Sequence, residues 1–255
     1  MPLNPLDWTA QPFLQLSVAV AAVCTVLVLA LRLAVGGSSN RSGPVPSDPV
    51  ALAWLSGGPR RAADTVLVAF LECGAAYLTS RRGHLSVGAM RADLPAGFRR
   101  FAGLVHAANS VASFRRAIRP ALEDVRDTLF QRGLAPSGEA IARLHWSTLM
   151  IFAVPLFLGS LKVVVGVERE RPVGILVGLL IFTAVIMVGL ASNPPFRTRA
   201  GHAAARDARQ LQARAARAPL EGEVILAFAL SGAAVLAGRP YAPLLAAAGG
   251  SGCGG

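Results

Sequence analysis

Three long stretches of apolar side chains dominate the pattern of hydrophobic and polar positions along the chain. Each is 18 or 19 residues long, and they cover residues 13–31, 149–167 and 173–190. A helix of about 17 to 25 residues crosses a hydrocarbon core of about 30 Å. The pattern therefore predicts an integral membrane protein with three transmembrane helices, one N-terminal anchor and one tight hairpin, at residues 13–33, 149–167 and 173–191.

A fourth apolar stretch, Val224 to Gly238, has 15 residues. It is shorter than the roughly 17 residues that span a bilayer comfortably. We expect a helix that lies at the membrane or packs on the soluble part of the protein, and a fourth span is the less favoured alternative. Residues 192–248 thus hold a basic amphipathic helix, from Arg197 to Arg217, followed by this apolar helix. A Gly-rich tail, residues 249–255, comes last.

The segment between the first two spans predicts a linker and a helical domain. Residues 34–48 are rich in Gly, Ser and Pro, which is typical of a flexible linker. A soluble domain follows over residues 49–140. The Gly-Gly-Pro run at residues 57–59 predicts a break between two helices, because Gly suits a helix end and Pro suits the first helical turn. We expect the second of these helices to end at Gly74.

The next elements of the soluble domain are a hairpin and a longer helix. Residues 75–79 and 85–87 predict the two strands of a β-hairpin whose tip carries Arg81 and Arg82. The apolar positions of residues 101–112 then share one stripe and predict one continuous helix. We expect Asn109 and Ser110 not to interrupt this helix.

Two stretches of the soluble domain resemble each other. Residues 66–75 and 125–134 both predict an amphipathic helix that a Gly ends at the same offset. A helix, a Gly stop and a short hairpin form the skeleton of a winged-helix unit, so the domain would hold one complete unit and one degenerate one. The predicted fold class is therefore mainly α: three transmembrane helices and a helical, winged-helix-like soluble domain.

The distribution of charge along the chain predicts how the protein is oriented in the membrane. The chain has a net charge of +11, with net +6 in residues 34–148 and net +3 in residues 192–223. The positive-inside rule places such blocks in the cytoplasm and the N-terminus and hairpin turn outside. Only three basic residues, Lys162, Arg169 and Arg171, oppose eight on the predicted cytoplasmic side. The eight are Arg32, Arg41, Arg132, Arg143, Arg197, Arg199, Arg206 and Arg209. The preference for Arg over Lys and the abundant Ala favour a bacterial source with a GC-rich genome.

No residue pattern in the chain predicts catalysis, a cofactor or a metal site. The three cysteines have no CxxC partner and the four histidines lack the spacing of metal ligands. No P-loop, nucleophile elbow or dinucleotide-binding motif is present. We therefore expect a protein that is not an enzyme and needs no cofactor.

Two groups of charged residues are candidates for interaction. Arg60 and Arg61 lie in a first helical turn, where the helix dipole disfavours positive charge, so they either mark a surface for an anionic partner or are solvated without a role. Arg81 and Arg82 would contact phosphates from the tip of a wing, and lipid headgroups are the nearer phosphates. Nucleic acid is the less favoured partner.

The membrane spans contribute further candidates. Lys162 is the one charged residue inside the second span and either reaches the interface with its long side chain or belongs to a transport pathway. Gly159 in the second span and the pair Gly174 and Gly178 in the third predict close helix packing, within the hairpin or between copies in a homo-oligomer.

Three motifs resemble those of a family of bacterial membrane proteins of uncharacterised activity. The first is Leu-Ala-x-Leu-x-Gly-Gly-Pro-Arg-Arg-Ala at residues 52–62, and the second runs from Lys162 through Arg169, Arg171 and Pro172 to Leu176. The third is Arg-Thr-x-Ala-Gly at residues 197–201. The resemblance covers about residues 48–240 and directs attention to the basic residues within its motifs. Members of the family often have a Gly/Cys-rich tail, whereas the tail here has one cysteine, Cys253.

The sequence thus predicts an interaction or scaffold protein in the cell membrane, with a basic cytoplasmic domain. Its expected partners are anionic lipid headgroups and an unknown protein. Two alternatives remain at this point. One is a component of a transport or export system that uses Lys162, and the other is a membrane-tethered DNA-binding regulator that uses the wing at Arg81 and Arg82.

Overall fold

The computed structural model describes residues 10–37, 44–79, 84–88, 94–168, 173–220 and 222–248. These residues are mainly helical, as the sequence predicted, with one two-stranded sheet. In chain order the elements are α1 (Ala10–Gly37), α2 (Pro49–Glu72), β1 (Ala76–Leu78), β2 (Leu85–Val87), α3 (Ala96–Arg99), α4 (Ala102–His106), α5 (Val111–Ala117), α6 (Arg119–Gln131), α7 (Gly138–Glu168), α8 (Gly174–Ser192), α9 (Arg199–Leu211), α10 (Ala213–Arg217), α11 (Val224–Ser231), a 3₁₀ turn (Gly232–Leu236) and α12 (Ala242–Ala248).

The chain divides into two compact units, each built from two separate stretches of sequence. We call residues 1–38 and 136–195 the membrane unit, and residues 39–135 and 196–255 the helical unit. The helical unit therefore combines most of the predicted soluble domain with the basic and apolar helices that follow the third span.

The membrane unit contains the three apolar helices α1, α7 and α8. Each is long and apolar enough to cross a membrane, as the sequence predicted. Most large apolar side chains along them are exposed, and Ile175, for example, is 76% exposed. An exposed apolar surface of this kind suits contact with lipid tails. Hydroxyls in these helices bond to backbone carbonyls one turn earlier, as Thr183 does to Leu179 at 2.8 Å.

Two glycines allow α7 to lie close to its neighbours, and one of them, Gly159, is among those predicted to pack closely. A Cβ added at Gly159 would overlap the Leu180 side chain, and one added at Gly166 would overlap Val173. Gly174 and Gly178, by contrast, have no described atom within 4 Å of an added Cβ. Their role in holding the hairpin together therefore stays a prediction. The same holds for their role in self-association.

Helix α2 forms the centre of the helical unit and consists of two halves. It begins with Asp48 as N-cap, whose Oδ1 accepts a hydrogen bond from Val50 N at 3.0 Å. Gly57 and Gly58 leave helical geometry, and Gly58 has a φ of 76°, which favours glycine. Pro59 then starts the second half. The predicted break between two helices is confirmed.

Both predicted glycine stops are confirmed and share one geometry. Gly74 ends α2 with a φ of 64°, and Ala75 N donates to Phe70 O at 2.9 Å. Gly133 ends α6 with a φ of 74°, and Leu134 N donates to Leu129 O at 2.8 Å. These are the hydrogen bonds of a Schellman motif, which closes a helix around a left-handed residue.

The two stops lead into different segments of the chain. After Gly74 the chain forms the predicted hairpin, in which Tyr77 pairs with Ser86 in the antiparallel sheet. After Gly133 the chain meets a distant segment instead, because Thr198 N donates to Leu134 O at 3.1 Å. The hairpin tip with Arg81 and Arg82 lies outside the described residues, and the winged-helix-like fold stays a prediction.

The continuous helix predicted over residues 101–112 is wrong. α4 ends at His106 and α5 begins only at Val111. Ser110 is the N-cap of α5, since its hydroxyl accepts from Ser113 N at 3.1 Å while Ser113 Oγ accepts from Ser110 N at 3.0 Å. This capping box is favourable only where a helix begins. The predicted apolar stripe is nevertheless present at Phe101 and Val105, which are buried.

The C-terminal helices complete the core around α2. The buried face of α9 consists of small residues, Gly201, Ala204, Ala205 and Ala208. α11 packs along α2 and buries Phe228 and Leu230. The apolar stretch that begins at Val224 is therefore a short helix packed on the helical unit, one of the two arrangements that we expected for it.

Candidate anion-binding site

Two adjacent arginines at the start of the second half of α2 serve different surfaces. Successive residues of a helix are rotated by about 100°. Arg60 is exposed and lines a cleft, whereas Arg61 is partly buried and donates to the backbone of α11. These two predicted interaction residues therefore do not form one surface.

The cleft at Arg60 lies between α2 and the α5–α6 segment and has a volume of about 370 Å³. Volumes of about 300 to 1,000 Å³ are typical of ligand pockets. The lining residues come from three helices and are Trp54, Pro59, Arg60, Ala63, Arg115, Arg119, Leu122, Glu123 and Arg126. Four of these nine side chains are arginines and one is acidic, so the lining carries a net positive charge.

Arg115 joins the two sides of the cleft through an ion pair. Its Nε and Nη2 donate to Oδ1 and Oδ2 of Asp64 at 2.7 and 3.0 Å. The side chains of Arg115 and Asp64 are only 17% and 14% exposed. Burial raises the pKa of Asp64, although the hydrogen bond and the charges of Arg115 and its neighbours act in the opposite direction. The charge of Arg115 is thus largely engaged within the protein.

The arginines of α6 are more accessible than Arg115. Arg119 is exposed, and its side chain forms no hydrogen bond or ion pair with any residue in the described part of the chain. Arg126 is partly buried, with 24% of its side chain exposed, and it pairs at 3.0 Å with its neighbour Asp127, whose side chain is 59% exposed. Exposed pairs of this kind contribute little energy and exchange readily for another anion. Arg119 and Arg126 are therefore suited to contact a ligand.

A second set of arginines, the arginine clamp, consists of Arg61, Arg197 and Arg209. They donate to backbone carbonyls at the C-terminal ends of two helices, the first half of α2 and α11. Arg197 Nη1 donates to Leu55 O at 2.7 Å. Arg209 Nε donates to Leu230 O at 3.0 Å and its Nη2 to Ser56 O at 3.3 Å. Positive charge is favourable there because helix C-terminal carbonyls lack intrahelical partners.

Arg61 reaches the same carbonyls through longer hydrogen bonds. Its Nη1 lies 3.4 Å from Ser56 O and 3.5 Å from Leu230 O. Burial lowers the pKa of Arg61, and the charge of Arg209 lowers it further. A Cβ added at Gly57 or Gly232 would overlap the Arg61 side chain. The arginine clamp thus has a structural role, which explains why Arg61 follows the Gly-Gly break.

The remaining predicted interaction residues belong to other parts of the chain. Lys162 belongs to the membrane unit, where its amine lies 5.1 Å from the centre of the Phe13 ring, a cation–π distance. Four more lie outside the described residues: Arg81, Arg82, Arg169 and Arg171. In the described part of the chain, no group of three or more His, Cys, Asp and Glu side chains could hold a metal ion.

Sequence reasoning found Arg60 but missed its partners across the cleft. A usable signal was present, because Arg119 and Arg126 lie seven residues apart and share one face of a helix with Leu122. What the sequence did not indicate is that this face lies opposite Pro59 and Ala63.

Comparison with known proteins does not add a relative. No family model, no curated protein and no solved structure matches the chain. The resemblance to a family of bacterial membrane proteins stays a prediction, and a functional assignment depends on the cleft itself.

Proposed function

We propose that the protein is a non-enzymatic interaction or scaffold protein of the membrane. Its three apolar helices anchor it, and its basic helical unit binds an acidic segment of a partner protein. One observation carries the proposal: exposed arginines on two helices line a cleft of ligand size whose floor is apolar.

The proposed orientation places the helical unit in the cytoplasm and the N-terminus outside. The basis is the excess of arginine near those ends of the spans that connect, in sequence, to the helical unit. In this orientation the exposed Arg199 and Arg206 of α9, which follow the third span closely, would also interact with anionic lipid headgroups. Lipid contact is thus a second, weaker part of the same function.

Site-specific photocrosslinking of the full-length protein in its native membrane tests the proposal. A photoreactive amino acid replaces either Glu123 or Asp124, which are adjacent and both exposed on α6. Only Glu123 lines the cleft, so position 124 is the matched control. We expect a discrete protein adduct from position 123, and its loss when Arg119→Glu is added.

Two results would contradict the proposal. One is an identical set of adducts from positions 123 and 124, which would indicate non-specific contact. The other is an adduct from position 123 that persists unchanged with Arg119→Glu, because the arginines would then have no part in binding.

A further inference from the structure

We propose that the segment bound in the cleft is a short acidic peptide in which an apolar side chain lies between two carboxylates. This inference rests on the proposed function and specifies the chemistry of its ligand. Three features of the cleft carry it: an apolar floor, a spaced pair of accessible arginines and one acidic side chain among them.

The floor of the cleft offers hydrocarbon and no free polar group. Trp54, Ala63 and Leu122 line it and belong to the core, with 7%, 2% and 2% of their surfaces exposed. The one polar atom among these side chains, Trp54 Nε1, already donates to Phe196 O at 3.2 Å. An apolar ligand group that lies on this floor is removed from water and gains by burial, whereas a charged group in the same place would lose its hydration without finding a polar partner.

The accessible arginines set the spacing of the ligand's charges. Arg119 and Arg126 lie seven residues apart on α6, a rise of about 10 Å. In an extended peptide every second side chain faces the cleft, so two carboxylates four residues apart are separated by about 13 Å. The long side chains of Arg119 and Arg126 can reach this far, and the residue midway between the carboxylates then lies over Leu122. Arg60 on α2 offers a further positive charge on the opposite wall.

Glu123 disfavours a uniform polyanion. It lines the same cleft and lies between Arg119 and Arg126 in the sequence of α6. A row of phosphates, as in nucleic acid or a headgroup layer, would place negative charge beside this carboxylate. A peptide avoids the repulsion because its backbone N–H groups, which are donors, alternate with its acidic side chains. The mixed lining thus favours a peptide.

Selection from a random library of 12-residue peptides tests this inference. The target is the full-length protein in nanodiscs of uncharged phosphatidylcholine. Parallel selections use Arg119→Glu and the matched charge reversal Arg116→Glu, an exposed arginine that does not line the cleft. We expect the wild type and Arg116→Glu to enrich peptides with Asp or Glu on both sides of Leu, Ile or Phe, and Arg119→Glu to enrich none.

The binding of one enriched peptide is then measured. Replacing its apolar residue by Ser should weaken the Kd at least about tenfold, because burial of such a side chain is the expected source of much of the affinity. Enrichment of acidic peptides without an apolar position, or a Kd that the Ser replacement leaves unchanged, overturns the inference but leaves the proposed function standing.

The remaining outcomes separate the other ligands. Binding to phosphatidylglycerol vesicles or to DNA that depends on Arg119, together with no peptide enrichment, overturns the inference in favour of a phosphate ligand. If neither peptides nor these anions show binding that depends on Arg119, both the inference and the proposed function fail.

Discussion

In the helical unit, the size of a single side chain decides how closely two segments of the chain can approach each other. Gly201 on α9 lies so near to Leu134 that a Cβ would overlap the backbone carbonyl oxygen of Leu134. Thr198 makes this approach possible by bonding to the same turn, with its hydroxyl donating to Gly133 O at 2.8 Å. The absence of a side chain at Gly201 is therefore a structural requirement.

We expect Gly201→Ala to lower the stability of the protein by about 1–3 kcal/mol, because backbone must move to accept the methyl group. Gly103→Ala is the matched control, since Gly103 lies in α4 with no described atom within 4 Å of an added Cβ. Alanine there should raise stability by up to about 1 kcal/mol through helix propensity. Thermal unfolding of the full chain in detergent measures both, and equal effects of the two substitutions would contradict the account.

His202 should make the stability of the protein depend on pH. Burial and the nearby charges of Arg197, Arg206 and Arg209 lower its pKa from the ordinary value of 6.5. Its neutral ring accepts a hydrogen bond from Arg197 Nε at 2.9 Å. As the pH falls, the unfolded chain takes up this proton before the folded protein does, so stability is present above about pH 6.5 and is lost below it.

We therefore expect the unfolding midpoint to fall between pH 7.5 and pH 5.5, and to fall less in His202→Gln. Since the other titrating groups are the same in both proteins, the difference between the two curves reports on His202. Parallel curves would show that the histidine does not contribute.

At the scale of elements, ion pairs with different burial join the helices around the cleft. The Arg115–Asp64 pair links α5 to α2 and is mostly buried, whereas the Arg126–Asp127 pair lies within α6 and is more exposed. Removing one partner of a buried pair leaves a charge without compensation.

We expect Arg115→Leu to lower the free energy of unfolding by about 3–5 kcal/mol. Arg126→Leu should lower it by no more than about 1 kcal/mol. Denaturant unfolding of the full chain in detergent compares the two. A small loss of stability in Arg115→Leu would contradict this expectation, because Asp64 would then be protonated or in contact with water when its partner is absent. In that case, adding Asp64→Asn to Arg115→Leu should restore no stability.

A second comparison concerns the arginine clamp and uses two arginines of α9. Arg206 and Arg209 are both exposed residues of α9, but Arg209 also donates hydrogen bonds to carbonyls of α2 and α11. Arg209→Leu should cost about 1–2 kcal/mol of stability, since two carbonyls lose a charged donor. Arg206→Leu should change it by less than about 0.5 kcal/mol. If the two substitutions had equal effects, the arginine clamp would not stabilise the helix ends.

Local sequence signals predicted elements well where one residue type decides the backbone. The break in α2 and the ends of α2 and α6 follow from Gly and Pro, whose backbone preferences act within a few residues. The break between α4 and α5 was missed because apolar periodicity continues through it. There the capping bonds of Ser110 and Ser113, together with the bond from Leu85 N to Asn109 O at 3.1 Å, outweigh the helical pattern.

At the scale of the whole molecule, the three spans could be predicted because they depend only on the length of apolar runs. The cleft could not be predicted in the same way. Arg60 and Arg119 come together through the folding of α2 against α6, and Arg61 reaches Leu230, which is 169 residues away in sequence. Neither periodicity nor composition specifies which faces meet over such distances.

The sidedness of the membrane protein is open to a direct measurement. We expect the helical unit to be cytoplasmic, so Gln131→Cys, in a chain with Cys24, Cys73 and Cys253 replaced, should react with an impermeant maleimide only after cell lysis. Glu170→Cys, in the turn predicted to lie outside, is the opposite control and should react in intact cells. Labelling of position 131 in intact cells would invert the topology and remove any cytoplasmic partner.

The order of the helices along the chain also has a consequence for synthesis. Of the helices in the helical unit, α2 leaves the ribosome first, yet α11, which covers it, follows only after the apolar hairpin of α7 and α8. At about 5 to 20 residues per second, the roughly 95 residues from Ala135 to Leu230 take about 5 to 20 s. During this interval the apolar side of α2 against which α11 packs in the finished protein is not yet covered. Closure of the helical unit therefore waits until the hairpin has been made, and a chain that stalls before α11 presents chaperones and proteases with a surface that the finished protein conceals.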